Sequence, residues 1–164
     1  YCHDTVVRRA ADHVGKDNML VFGVRSISEA EHAEGGLPEY IDSFTIAQEG
    51  VEKAFKRALN IIKKDKIYLS LDVDGLDPAY APAASMVEPF GLTSFDVKRC
   101  INMLGPRLVG FDLVEISPPY DKGNTAALGA RLAQEAIAVA WKYRRTEKEK
   151  EKKDSTGPRP FWKR

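Results

Sequence analysis

Three short apolar runs, spaced so that a helix fits between each pair, restrict the fold of this chain more than any other feature. Asn18–Arg25, Lys66–Leu71 and Arg107–Ile116 are each nearly continuous in apolar residues and rich in branched ones. Runs of this kind suit strands buried on both faces, as in a parallel sheet, rather than the strict alternation of a half-wet antiparallel one. Before the second run, Gln48–Lys64 carries Val51, Ala54, Phe55, Ala58, Leu59 and Ile62 at helical spacing with Lys and Arg opposite. Before the third, Thr93–Leu104 reads as a helix that Thr93 or Ser94 can cap, with Phe95, Val97, Ile101 and Leu104 on its apolar face. From Thr125 an Ala- and Leu-rich stretch through Tyr143 reads as a long buried helix. Thr5–His13 is helix-like, and Ile41–Ile46 reads as a short edge strand. The alternation predicts an α/β domain with a parallel sheet and crossover helices.

At 164 residues and 43% hydrophobic content the chain is long enough and apolar enough for one domain with a real core. It has no apolar run near the roughly 20 residues that span a bilayer. Tyr1-Cys2-His3-Asp4 lacks both an initiator Met and the basic-then-apolar pattern of a signal peptide, so a fragment or a processed piece is expected. Cys2 and Cys100 stand far apart without paired spacing. They predict free thiols in a reducing compartment, the cytoplasm. The net charge of +1 hides an asymmetry: ten Lys/Arg and four Asp/Glu follow Trp141, so the preceding body is mildly acidic. Neither a nucleic acid nor a membrane is expected as a partner. The Glu-Lys alternation of Thr146–Lys153 suits a solvated extension of the last helix. The expected division is a folded body over 1–145 and a charged, disordered tail over 146–164.

Chemistry concentrates at Ser70-Leu71-Asp72-Val73-Asp74-Gly75-Leu76-Asp77-Pro78. Asp72 and Asp74, two apart at the end of an apolar strand, would project to one face of an extended backbone. In open α/β sheets, ligands bind just beyond the carboxyl ends of strands. Two converging oxygen ligands there suit Mg²⁺, Mn²⁺ or another oxygen-loving cation. A strand-end Asp can equally cap a loop by accepting backbone N–H groups. Asp77, before Pro78, reads as holding the turn. The loop 72–91 that follows is long enough to be functional or ordered by a ligand.

Glu115, in Leu113-Val114-Glu115-Ile116, is a second strand-end carboxylate. A charge there is costly unless paired. Alternation puts Phe111, Leu113 and Glu115 on one face and Asp112 and Val114 on the other. A guanidinium ligand would satisfy Glu115 through a bidentate pair; an internal pair with an Arg such as Arg25 is the alternative.

These residues carry a resemblance. Ser70–Pro78 is similar to the second metal motif of the ureohydrolases, the arginase/agmatinase family. Gly110–Asp121 resembles that family's strand bearing the guanidinium-binding Glu, and Tyr1–Ala10 resembles the Ser-His-Gly-Thr-x-x-Arg-Arg-Ala segment seen mostly in agmatinases. The likeness runs from about His3 to Tyr143. It implies a three-layer α-β-α fold with a mostly parallel sheet, of which this is the C-terminal part. It also implies a binuclear Mn²⁺ site with Asp72 bridging both ions and Asp74 on one of them, Glu115 orienting the guanidinium, and His3 relaying a proton to the leaving amine. His3 is otherwise a solvated residue near a terminus. His13 and His32 match nothing and are expected at the surface. The implied reaction is Mn²⁺-dependent release of urea from agmatine, with arginine, another guanidino acid or formiminoglutamate as alternatives. A homo-oligomer, trimer or hexamer, is implied as well.

Two departures qualify this. The family's Gly-Gly-Asp-His-Ser and Asp-Ala-His-x-Asp motifs, expected upstream of His3, are absent, so the N-terminal half of the fold is an expected partner and this chain alone is expected to be inactive. The usual Gly-Thr-Gly-Thr-Pro-Glu loop here reads Ala83-Ala84-Ser85-Met86-Val87-Glu88-Pro89, which puts Met86 in place of a Thr, and Asp4 replaces a Gly beside His3. A non-catalytic subunit that keeps the fold is the reading of a different class.

Overall fold

The computed structural model describes residues 5–29 and 37–155, with side chains through Thr146. His3, Cys2, Asp4 and His32 lie outside the described residues, as does 156–164 of the expected tail.

Helix α1 (Val6–Val14) leads through a 3-10 turn into strand β1 (Leu20–Val24). Strand β2 (Glu39–Asp42) pairs with β1 in parallel, with a bulge where Gly23 takes a φ of +91°. Helices α2 (Ser43–Glu49) and α3 (Val51–Ile62) follow. Strand β3 (Ile67–Asp72), helix α4 (Ser94–Leu104) and strand β4 (Leu108–Val114) come next, with β3 and β4 parallel and Asp72 opposite Val114. Helix α5 (Asn124–Ser155) completes the described chain. Among the described residues the strands form two parallel pairs rather than one continuous sheet.

The order of strands and helices and the parallel pairing agree with the expectation from periodicity, and several boundaries do not. Ile41–Ile46 is not a strand throughout. Asp42 ends β2 and caps α2, accepting the Thr45 N–H at 2.7 Å and its hydroxyl at 2.8 Å. The helix expected over Gln48–Lys64 is two helices, because Gly50 takes a φ of +81°, which only glycine adopts without strain. Phe95 points into solvent instead of joining Val97, Ile101 and Leu104 in the core. The cap on that helix is Thr93, in a reciprocal capping box with Asp96. The final helix is buried along one stripe only (Thr125, Gly129, Leu132, Ala136, Val139), while Ile137 and Trp141 are exposed. It continues through Ser155, so the first part of the charged tail is helical rather than disordered.

Helices α3, α4 and α5 pack in succession, α3 against β1 and α5 against β4. The core joins them to one face of the β3–β4 pair, formed by Ile67, Leu69, Leu71, Phe111 and Leu113. The other face, with Tyr68, Ser70 and Asp72 on β3, is open to solvent. The carboxyl ends of β3 and β4 therefore lie side by side, and the residues of interest follow directly from them.

Candidate metal and guanidinium site

Strand β3 ends at Asp72, and Val73–Gly75 turns as a 3-10 segment. Asp72 and Asp74 therefore do not share a face through the pleat, as expected from spacing. They converge through a turn in which the Asp74 N–H donates to Asp72 Oδ1 at 2.8 Å. Asp74 in turn accepts the Ser85 N–H on Oδ1 at 3.0 Å and the Met86 N–H on Oδ2 at 3.2 Å. Each carboxylate oxygen has a second lone-pair direction, so these bonds position the carboxylates without exhausting them.

Asp77 holds the loop, as its place before Pro78 predicts. It accepts the N–H groups of Ala79 (2.9 Å), Phe90 (2.8 Å) and Gly91 (3.2 Å), and those bonds hold its carboxyl below the usual range, the Ala79 bond most of all. Leu76 and Leu92 form a parallel bridge beside it. Gly91 is required by close approach: a Cβ there would stand 2.5 Å from Asp77 N, Leu76 C and Arg25 Nη1. Arg25, just past β1, donates to the carbonyls of Asp74 and Gly75. It therefore binds the turn and is not the partner of Glu115.

Glu115 departs from the strand alternation. Its φ is +65°, a left-handed conformation that costs a non-glycine residue about 1–2 kcal/mol. The pairing of β4 ends at Val114, and the reversal at Glu115 takes its side chain out of register with Phe111 and Leu113. Its charge then acts on both aspartates. Asp72 is pushed up to about 6, first by withdrawal from water and then by the charges of Asp74 and Glu115. Asp74 is raised as well, by desolvation and then by Glu115. Like charges gathered at two adjacent strand ends repel one another, and a cation there would offset the repulsion.

A second clasp was not foreseen. Asp121 accepts the Thr125 N–H (2.8 Å), the Thr125 hydroxyl (2.7 Å) and the Gly123 N–H (2.7 Å), and the Thr125 bonds hold its carboxyl low. Thr125, fully buried, accepts the Ala83 N–H at 2.9 Å, and the Ser117 N–H reaches the Ala83 carbonyl at 2.9 Å. The loop after Asp72 is thereby tied to the segment after Glu115. The Asp-x-Gly-x-Thr spacing from 121 to 125 is the local signal for this turn.

Asp72 and Asp74 fit a hard cation as part of a ligand set. Among the described residues no group of three or more His, Cys, Asp and Glu is placed to hold an ion, so further ligands are needed. The structure joins Asp72 and Asp74 through one turn and leaves Glu115 near enough for its charge to act on both. His3 is outside the described residues, and His13 is exposed on α1.

The Arginase family model matches residues 1–139. The chain is 35% identical over 149 residues to a guanidinobutyrase of Pseudomonas aeruginosa, covering 84% of this chain and 46% of that one. It is similar in structure to an agmatine ureohydrolase of Thermoplasma volcanium, with 41% identity, a TM-score of 0.80, and coverage of 88% of this chain and 49% of the other. It is also similar to a proclavaminate amidino hydrolase from Streptomyces clavuligerus, with 26% identity, a TM-score of 0.78, and coverage of 87% and 50%. The chain spans about half the length of the curated relatives it matches.

Proposed function

The chain belongs to the arginase family, and from that premise we propose that it carries the guanidinium-facing part of a Mn²⁺-dependent hydrolase that releases urea, with agmatine, giving putrescine, as the substrate. The observation that supports this is the convergence of Asp72, Asp74 and Glu115 at neighbouring strand ends, with both aspartates raised by the crowding. Asp72 and Asp74 would hold the metal as part of its ligand set. When bound, the Mn²⁺ pair supplies acidified water and offsets negative charge developing at the reacting carbon. Glu115 pairs with the guanidinium through two charge-assisted bonds and sets its plane. Water adds to the guanidinium carbon, the bond to the alkyl nitrogen breaks, and that nitrogen leaves as an amine after gaining a proton. His3 is the proposed donor of that proton, a role imidazole suits near neutral pH.

Agmatine is favoured by the Arg8-Arg9-Ala10 and Ser117–Tyr120 segments and by the likeness to an agmatine ureohydrolase structure. Guanidinobutyrate is the second reading, favoured by the guanidinobutyrase similarity. We propose that the remaining metal ligands come from the half of the family fold beyond these 164 residues. The exposed Ile137 and Trp141 of α5 support a homo-oligomeric assembly, and a free, buried Cys100 suits a reducing cytoplasm.

The test is Mn²⁺-dependent urea release from agmatine, arginine and 4-guanidinobutanoate, and formamide release from formiminoglutamate, with the protein as its cell makes it. Turnover of agmatine above the others is expected. Turnover of a carboxylate-bearing substrate instead reassigns the substrate, and turnover of none overturns the enzyme reading in favour of a non-catalytic subunit.

A further inference from the structure

The solvent-facing side of the β3–β4 pair carries a hydrogen-bonded group that the proposed chemistry leaves unused. Asp112 lies opposite Ser70 in the strand register, and the Ser70 hydroxyl donates to its Oδ1 at 2.7 Å. The neighbouring Asp112 carboxylate pushes the Tyr68 hydroxyl above its ordinary range. The Tyr68 ring lies against Gly110, its register partner, so closely that a Cβ at Gly110 would stand 3.0 Å from the ring. Tyr68, Ser70 and Asp72 follow one another along a single face of β3, about 7 Å apart by strand geometry. Strands of a parallel sheet ordinarily show Val, Ile or Leu on both faces. Here one face is apolar (Ile67, Leu69, Leu71), and the other carries a serine hydroxyl turned onto a carboxylate, with Tyr68 beside them.

This geometry has a directional consequence. A serine hydroxyl has one proton and two lone pairs. With the proton committed to Asp112, Ser70 meets anything beside Asp72 as an acceptor. A cation on Asp72 brings donors into that space, namely the O–H groups of its waters or the N–H of an imidazole ligand. Such ligands are oriented by an outer acceptor, and the loss of one lowers metal affinity about 10- to 100-fold.

We infer that Asp112 is a positioning residue that acts through Ser70: it fixes the serine as a hydrogen-bond acceptor for the ligands of the cation held by Asp72. The inference rests on the metal reading of Asp72 and Asp74 and adds residues to it.

The test measures Mn²⁺ affinity by equilibrium dialysis, with the metal alone as probe, on the protein as its cell makes it, together with the melting temperature of the metal-free form. Ser70→Ala and Asp112→Leu, which keeps the size but removes the acceptor, are expected to weaken Mn²⁺ binding about 10-fold or more. Ser70→Thr, which keeps the hydroxyl, is expected to retain it, as is Asp112→Asn, whose amide oxygen still accepts the serine proton. Melting of metal-free Asp112→Leu is expected to stay within a few degrees of the unsubstituted protein. If that protein binds Mn²⁺ and Asp112→Leu binds it equally well, the inference is overturned while the metal reading stands. A lowered melting temperature with unchanged affinity also overturns it, since that is a purely structural role. If the unsubstituted protein takes up no Mn²⁺, both the inference and the metal reading fall. Should Ser70→Ala not fold, Asp112→Leu and Ser70→Thr decide.

Discussion

Glu115 occupies a left-handed backbone conformation, and its charge acts on two other carboxylates; both features weigh against the metal-free fold. Local strain of this kind collects where a side chain must be aimed rather than packed. Glu115→Gln keeps the shape and removes the charge. Loss of a charge-assisted pair with a guanidinium, worth about 1.5–3 kcal/mol, predicts a fall of about 10- to 100-fold in kcat/KM for urea release. The melting temperature of the metal-free protein should hold or rise, because a repulsion is relieved. Two other carboxylates titrate in opposite senses. Asp72, raised to about 6, favours the metal-free fold when protonated; that contribution is complete below its ordinary value of 3.8 and is lost as pH rises through about 6. Metal-free Asp72→Asn should therefore gain stability relative to the unsubstituted protein as pH is raised from about 4 to about 7. Asp121 is held low by Thr125, so it stabilises above 3.8, and that contribution is lost as pH falls through its lowered value. The deficit of Asp121→Asn should be full at neutral pH and disappear in acid, which melting curves across pH would show.

At the scale of elements, the two glycines that shape the site act for different reasons. Gly50 has open space around its Cβ position but a φ of +81°, so Gly50→Ala is expected to cost about 1 kcal/mol of backbone strain and leave metal uptake unchanged. Gly91→Ala drives a methyl into the backbone of Leu76 and Asp77 and should be worse both in urea-unfolding midpoint and in Mn²⁺ uptake. What was legible in the sequence follows the same division. Apolar periodicity located β1, β3, β4, α3 and α4, because burial sets their spacing, and the strand-end carboxylates stood out because charge there needs a partner. The Asp72–Asp74 turn and the reversal at Glu115 were hidden, since both replace pleat geometry with single-residue dihedrals. The cap at Asp42 was masked by the apolar Ile41 and Ile46 on either side. The Asp121–Thr125–Ala83 clasp joins residues far apart in the chain, a contact that periodicity does not encode.

In the molecule as a whole, helices cover one face of the β3–β4 pair and leave the face bearing Asp72 open. Parallel strands are rarely stable with a face and edges uncovered. The 164 residues expressed alone should therefore self-associate, seen as a concentration-dependent mass in light scattering. Addition of the proposed N-terminal half of the family fold should suppress this, and a strictly monomeric chain would contradict the expectation. The segment 72–91 behaves differently from its length. The amides of residues 74, 76, 77, 79, 80, 81, 83, 85, 86, 90 and 91 all donate to defined acceptors, most of them within the segment itself. Measured by deuterium uptake or by limited digestion, it should resemble a helix more than a connection. A segment so held cannot swing shut over a substrate. Entry and exit would then be governed elsewhere, and the aspartates should keep one unchanging pose from one turnover to the next.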